Sequence, residues 1–172
     1  MGDLFVNARL AKAITSVSRG DMQGLDVVYD QLGRQIFSLA FSMLNNYADA
    51  EDAMQETFLR LARYAGSFDP NGSPRAWIMT ITRNAAYAIL NDRIPAAAQD
   101  VPETAPDGTD VASVCEVNEM LASLPEEDRQ IIILKAVNGM KFGEIAQICG
   151  TTSEAARKRY KRALEKLKRE FN

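Results

Sequence analysis

The chain has 172 residues, of which 47% are hydrophobic and 25% charged, and its formal net charge is -3, which is typical of a globular protein with one or two small domains. No run approaches the roughly 20 apolar residues that span a bilayer, and the start of the chain lacks the order of a signal peptide, so we expect a cytoplasmic protein without membrane insertion. The absence of histidine excludes Ser-His-Asp and Cys-His nucleophiles, and most familiar enzyme constellations with them. It also excludes His-containing metal sites, and Cys115 and Cys149 are too few for a thiolate zinc cage, so we expect no metal and no cofactor.

Apolar residues recur at helical spacing, and no segment shows the sustained alternation of a strand, so the predicted fold class is all-α. Residues 1–94 predict one helical bundle. Its helices are expected near residues 4–18, from an N-cap at Asp21 to a break at Asn45-Asn46, from Asp49 to about Tyr64, and from Ala76 to about Arg93.

The segment 95–112 predicts a flexible acidic linker between two domains. It includes PAAAQDVPETAPDGTD, which has three prolines and no aromatic residue, and residues 95–128 carry nine acidic side chains and no basic one. Such a segment buries too little apolar surface to offset the entropy lost on ordering. Its negative charge suits solubility and reach.

Residues 113–172 predict a second helical domain. Ser123-Leu124-Pro125-Glu126-Glu127 is a strong helix start, and a short helix from Lys141 to Cys149 is followed by Gly150-Thr151-Thr152-Ser153 and a last helix to Phe171. Either Thr151 or Thr152 suits the N-cap. The short helix, the tight turn and the second helix predict a helix-turn-helix.

The last helix divides into an apolar and a basic face. Between positions 155 and 169 it carries eight basic residues and one acid, and residues 129–172 have a net charge of +7. A lysine-rich surface helix would account for this, but the preceding turn favours a DNA recognition helix. The predicted core face comprises Ala156, Tyr160, Ala163, Leu164, Leu167 and Phe171.

Four ordered stretches carry a resemblance to a known family: RGDMQGLDVVYDQLGRQIFSLAFSML, DAEDAMQETFLRL, FDPNGSPRAWIMTITRNAAYAIL and SLPEEDRQIIILKAVNGMKFGEIAQICGTTSEAARKRYKRALEKL. Together they resemble the extracytoplasmic-function sigma factors, compact members of the bacterial sigma-70 family. The resemblance implies a region 2-like domain over 1–94 and a region 4-like domain over 113–172. It also implies a promoter-specificity subunit that recognises minus-10 and minus-35 elements and has no catalytic site.

The resemblance implies three sets of contact residues. Those that would dock on the clamp helices of the core RNA polymerase are Asp49, Glu51, Asp52, Gln55 and Glu56. Those that would bind minus-10 DNA are Phe68, Asn71, Arg75, Trp77, Arg83 and Asn84. Those that would bind minus-35 DNA are Ser153, Glu154, Arg157, Lys158, Lys161 and Arg162. Some of these residues have a second interpretation. The acidic residues at the start of the docking helix also complement a helix dipole. Trp77 suits the core, and Glu154 could cap the last helix.

Three other interpretations remain open at this point. A stand-alone helix-turn-helix transcriptional regulator would account for residues 123–171 but not for DAEDAMQETF or the segment around Trp77. A helical enzyme that uses only carboxylates and lysine lacks paired acids on a pocket-forming element. An anti-sigma factor is a further expected partner, beside core polymerase and promoter DNA, because family members are commonly held by one.

Overall fold

The computed structural model describes residues 2–93 and 111–172, which form eight helices and no strand, so the all-α prediction is confirmed. Within these ranges no helix is both long and apolar enough to cross a membrane. The helices are α1 Gly2–Ser18, α2 Gln23–Leu44, α3 Tyr47–Tyr64, α4 Pro74–Asp92, α5 Val111–Met120, α6 Glu126–Ile132, α7 Phe142–Cys149 and α8 Ser153–Phe171.

Helices α1 to α4 pack on one another as the predicted bundle. The Asn46 side chain caps α3 by accepting from the Asp49 backbone N–H at 2.9 Å, and Asn45 ends α2 in the left-handed region with φ 48°. The predicted Asp21 cap is wrong by one residue. The N-cap of α2 is Met22, while Asp21 accepts from the Gln23 N–H at 3.1 Å in the turn before it.

The contact between α1 and α2 depends on a glycine. A Cβ added at Gly24 would lie 2.4 Å from the Ala13 carbonyl oxygen and 2.7 Å from a Val17 methyl. Any larger side chain there would push the two helices apart. The bundle core below this contact is large and fully buried, with Leu10, Ile14, Leu32, Ile36, Phe37 and Leu39 among its members.

The second half of the chain contains the predicted helix-turn-helix, formed by α7, a turn and α8. Gly150 ends α7 with φ 63°, and Thr152 caps α8 by accepting from the Ala155 N–H at 3.1 Å. Thr152 is therefore the cap, and Glu154 lies in the first turn of the helix. Helix α6 continues into a wider π-helical turn, Ile133–Val137.

Two details differ from the predictions for this half. The predicted linker lies outside the described residues except for its last two positions, which already belong to α5. Phe171 is 60% exposed, because it ends α8 where no other element covers the helix, so its place on the predicted core face is wrong.

The two halves lie against each other in what we call the closed arrangement. Helix α4 packs on α7, and α2 packs on α5, on α6 and on the π-helical turn. One continuous set of buried side chains joins them, with Leu134, Met140, Ile145 and Ile148 contributed by the second half. The structure therefore shows both halves sharing a core across their contact.

Candidate functional site

The N-terminal half of α8 presents its polar side chains to solvent. The six residues expected to bind minus-35 DNA are all exposed: Ser153, Glu154, Arg157, Lys158, Lys161 and Arg162. The opposite face is anchored by Ala156 and Ala163, which are 0% and 2% exposed. This division follows from the periodicity of the sequence, and it leaves the basic face open to a groove of nucleic acid.

Neighbouring side chains orient two of these cations. The Arg157 guanidinium lies 5.3 Å from the centre of the Phe142 ring, and that ring packs edge-on against Tyr160 at 5.6 Å. Lys158 pairs with Glu154 at 3.1 Å, where both side chains are about three-quarters exposed, so water screens the pair. Arg157 is thus held by an aromatic platform, while Lys158 is free to move to another anion.

Acidic side chains on α3 form the second surface. Asp52 and Gln55 are exposed, whereas Glu56 accepts from Arg60 Nε at 2.7 Å on the same helix. Arg93 holds Asp49 at 2.5 Å, and the Glu51 carboxylate accepts from the Tyr47 hydroxyl. The structure thus brings the five predicted docking residues onto one helix, but only Asp52 and Gln55 face solvent without a described partner.

The residues expected to bind minus-10 DNA are divided between the core and the surface. Phe68 is 8% exposed and belongs to the core, and it packs on the half-buried Trp77 with ring centres 5.3 Å apart. Asn71 and Asn84 are exposed. Arg75 is 5% exposed.

Arg83 is half-buried and bound to the second half of the chain. Its Nε donates to Gln130 Oε1 at 2.8 Å, and its guanidinium lies 4.7 Å from the centre of the Tyr87 ring. In the closed arrangement the two predicted minus-10 arginines, Arg75 and Arg83, therefore both donate hydrogen bonds to the second half of the chain. The sequence carries no signal for this, because Gln130 stands 47 positions from its partner.

Both cysteines are free thiols in helices and half-buried. Burial is the main cause that raises the pKa of each thiol, with the Glu119 carboxylate adding to the effect at Cys115 and Arg83 and Arg159 opposing it at Cys149. Within residues 2–93 and 111–172, no group of three or more Cys, Asp or Glu side chains is placed to hold a metal ion.

Two family models match the chain. Sigma-70 region 2 matches residues 28–93, and Sigma-70, region 4 matches residues 116–167. The first falls on α2 to α4 and the second on α5 to α8. One family model therefore matches the helices before residues 94–110, and the other matches the helices after them.

The curated relatives of the chain are also sigma factors. RNA polymerase sigma factor CarQ of Myxococcus xanthus is 34% identical over 133 residues, which cover 73% of this chain and 76% of CarQ. ECF RNA polymerase sigma factor SigW of Bacillus subtilis is 24% identical, with 94% of this chain and 96% of SigW covered.

Two solved structures share the fold. CnrH, solved in complex with the cytosolic domain of CnrY, has a TM-score of 0.76 and 22% identity, covering 95% of this chain and 97% of CnrH. The sigma factor RpoE of Bartonella quintana, solved with the anti-sigma factor NepR, has a TM-score of 0.63 and 23% identity, covering 84% of this chain and 95% of RpoE.

Proposed function

Because the chain belongs to the extracytoplasmic-function sigma factors of the sigma-70 family and is a promoter-specificity subunit of RNA polymerase, we propose a distinct role for each of its three surfaces. Helix α3 docks on the core enzyme, α4 with the loop before it takes the minus-10 element, and α8 reads the minus-35 element. The exposed basic half of α8, standing at the end of a helix-turn-helix, is the observation that carries this proposal.

The proposed minus-35 reader enters the major groove with the N-terminal half of α8. Arg157 and Arg162 can each offer two donors to the N7 and O6 acceptors of a guanine, and Lys161 offers a point charge to phosphate. The Phe142 ring beneath Arg157 limits the conformations of that side chain, so less entropy is lost when it binds. Arg157 and Arg162 are therefore our candidates for base contact.

The proposed polymerase contact is the exposed acidic side of α3. Asp52 and Gln55 offer oxygen acceptors to the clamp helices of the largest subunit, and Glu51 and Glu56 flank them on the same helix. Charge of one sign opposite a basic partner speeds and orients association. Reversal of Glu51, Asp52 and Glu56 to lysine is expected to abolish co-elution with core polymerase in gel filtration, and retained co-elution would move the contact elsewhere.

The proposed minus-10 surface consists of the Phe68 to Pro74 loop and the first half of α4. Asn71 and Asn84 are already exposed, while Arg75 and Arg83 can serve only after the second half of the chain moves away. Phe68 and Trp77 support this surface from within the bundle. Single-stranded DNA requires cations along its backbone, which Arg75 and Arg83 would provide.

Three further proposals follow from the family. The chain has no catalytic site of its own, so the polymerase performs the chemistry, and the complex works in the cytoplasm, where polymerase and promoters are. RpoE is solved with an anti-sigma factor, and we propose that a protein of that kind also holds this chain. Affinity purification of the tagged chain from its native cells, before and after stress, would identify that partner or show that none binds.

The decisive test is run-off transcription with purified bacterial core polymerase over a pool of genomic promoter fragments. We expect discrete transcripts that depend on the added chain, and alignment of their start sites should show both promoter elements. A control sigma factor establishes that the core enzyme is active. Absence of such transcripts, together with no binding to core, would refute the proposal.

A further inference from the structure

The first residue of α7 carries an aromatic ring that contacts α8. The Phe142 ring packs edge-on against the Tyr160 ring, with the ring centres 5.6 Å apart and the ring planes at 66°, and the Arg157 guanidinium lies 5.3 Å from the centre of the Phe142 ring. Phe142 and Tyr160 are half-buried, and both pack on the core. The ring next to Arg157 is therefore fixed by the packing of two helices.

A lysine of the π-helical turn contacts the same ring. Lys135 Nζ lies 4.8 Å from the centre of the Phe142 ring and donates to the Met140 carbonyl at 3.1 Å. Met140 is 0% exposed, and its own N–H donates to the Leu134 carbonyl at 2.9 Å. The backbone of a buried and hydrogen-bonded residue has little freedom to move, so its carbonyl defines where the ammonium lies. The π-helical turn, α7 and α8 thus meet at the Phe142 ring.

Arg157 is held differently from the two cations that follow it on α8. Lys158 pairs with Glu154 at 3.1 Å, and Arg159 pairs with two carboxylates at the start of α6. A carboxylate partner occupies N–H donors of the cation. In the part of the chain that the structure describes, Arg157 makes no ion pair and no side-chain hydrogen bond, and the aromatic ring holds it instead.

Contact with a ring leaves the hydrogen-bonding capacity of Arg157 intact. The π face attracts the guanidinium electrostatically and takes no N–H donor from it as a hydrogen-bond acceptor would. Guanine presents its N7 and O6 as two acceptors in the major groove, which a guanidinium can meet with two donors. An arginine that is already oriented and has no ion pair to break loses less free energy when it binds such a base.

Arg162 provides an internal comparison on the same helix. It is exposed, and among the described residues its side chain has no ion pair, hydrogen bond or ring contact. Such a side chain keeps its rotamer freedom until it binds. The Phe142 ring should therefore affect base recognition by Arg157 and leave recognition by Arg162 unchanged.

We propose that Phe142 is a specificity-determining positioning residue of the minus-35 reader, whose ring orients the Arg157 guanidinium towards one guanine while leaving its N–H donors free. The proposal rests on the proposed role of Arg157 at the minus-35 element. Lys135 and Tyr160 fix the ring, and the ring acts through Arg157 rather than on DNA itself. The minus-35 element of this chain accordingly contains a guanine at the position that Arg157 contacts.

The first experiment measures base discrimination by the polymerase holoenzyme that contains this chain. Each minus-35 base pair of a promoter recovered by run-off transcription is changed in turn, and the pair whose change no longer matters in Arg157→Ala is the one that Arg157 reads. We expect Phe142→Leu to lower discrimination at that pair by about fivefold, which is part of the roughly 10-fold to 100-fold effect of a bidentate contact. Discrimination at the other pairs should stay the same. Equal losses at every pair would indicate a merely structural role and would overturn the proposal.

Two further substitutions control for the loss of an aromatic ring. Phe142→Tyr keeps the ring and should keep the discrimination of the wild-type protein. Phe171→Leu makes the same change as Phe142→Leu at the 60% exposed end of α8 and should have no effect on discrimination. A loss in Phe142→Tyr as large as that in Phe142→Leu would show that the ring is not the feature that acts.

A double-mutant cycle tests whether Phe142 acts through Arg157. In an Arg157→Ala background we expect Phe142→Leu to change promoter affinity by less than about twofold, because the side chain that it orients is absent. In an Arg162→Ala background Phe142→Leu should keep its full effect. The full effect in both backgrounds would mean that the ring contributes by another route, and would overturn the proposal.

The second experiment uses the free protein and needs neither polymerase nor DNA. The ring current of Phe142 shifts the NMR signals of the Arg157 δ-methylene protons, which are identified by their absence from Arg157→Ala. We expect Phe142→Leu to remove this shift and to increase the mobility of the Arg157 side chain, with the Arg162 signals unchanged. Identical Arg157 shifts and mobility in the two proteins would overturn the proposal. If these differ as expected while Arg157→Ala recognises every base pair as the wild-type protein does, the assigned minus-35 role of Arg157 has failed and the orienting contact has not.

Discussion

Arg93, which follows the last residue of α4, binds the carboxylate of Asp49 in the first turn of α3. Its Nη2 and Nε donate to Asp49 Oδ2 at 2.5 and 2.9 Å, and the same Nη2 donates to the Leu44 carbonyl at 2.6 Å. The arginine thus ties the end of α2 and the start of α3 to the last residues of α4. It also neutralises one of the five carboxylate and amide side chains proposed for polymerase docking.

Because Arg93 already binds Asp49, we expect the acidic residues of α3 to contribute unequally to the affinity for core polymerase. We expect Asp52→Asn to weaken binding to core polymerase by about tenfold, because an exposed carboxylate paired with a basic partner contributes on the order of 1–2 kcal/mol. Asp49→Asn should change the affinity by less than about threefold, since Arg93 already neutralises that charge. Fluorescence titration of labelled chain with core enzyme measures both, and equal losses would contradict the distinction.

Substitutions on the basic face of α8 are expected to weaken promoter recognition without unfolding the protein. We expect Arg157→Ala and Arg162→Ala each to weaken minus-35-dependent transcription by about 10-fold to 100-fold, the range for a bidentate base contact. Both residues are exposed, so the helical circular dichroism should be unchanged. Lys168→Ala, at the exposed end of the same helix, is the matched control, and unchanged transcription in both arginine variants would remove them from the interface.

The start of α8 predicts a stability difference between two adjacent threonines. Thr152→Ala removes the side-chain oxygen that accepts from the Ala155 N–H and should lower the free energy of unfolding by about 1 kcal/mol. Thr151→Ala is the control, because its exposed side chain does not cap the helix, and should have less than half that effect. Denaturant unfolding of the two variants compares them, and equal losses would mean that the cap contributes nothing specific.

The raised pKa of Tyr47 predicts that the folded protein loses stability in alkaline solution. Burial, followed by the nearby Glu51 carboxylate, raises the pKa of Tyr47 from 10.0 to about 12. Above pH 10 the unfolded chain releases this proton while the folded chain retains it, so the contribution is intact below pH 10 and is lost as the pH rises to about 12. Tyr47→Phe removes this contribution to the alkaline loss.

Phenolate absorbance measures the titration directly. The difference between the wild-type and Tyr47→Phe curves isolates one of the five tyrosines, and we expect its midpoint near 12. A midpoint near 10 in the folded protein would show that neither burial nor Glu51 acts on this hydroxyl.

The sequence predicted the helices well where local chemistry decides them. Helical periodicity and the glycine after α7 are recognised within a few residues, so one short window contains the whole signal. The sequence left Thr151 and Thr152 both open as the cap of α8, and the structure has Thr152. The same applies to the basic face of α8, whose inner side is marked by Ala156 and Ala163 at helical spacing. Local windows also misplace an end: the sequence favours Asp21 as the cap of α2, but Asp21 accepts from the Gln23 N–H in the preceding turn and the N-cap is Met22.

Only the tertiary structure decided which functional side chains are accessible. Arg75 and Arg83 have the sequence pattern of exposed cations, yet their partners Asn138 and Gln130 stand 63 and 47 positions away. Arg93 and Asp49 are likewise 44 positions apart. The sequence does not indicate whether a long polar side chain will bind water, DNA or a distant carbonyl, because all three can accept hydrogen bonds from that side chain. The packing of α4 against the second half of the chain makes that choice.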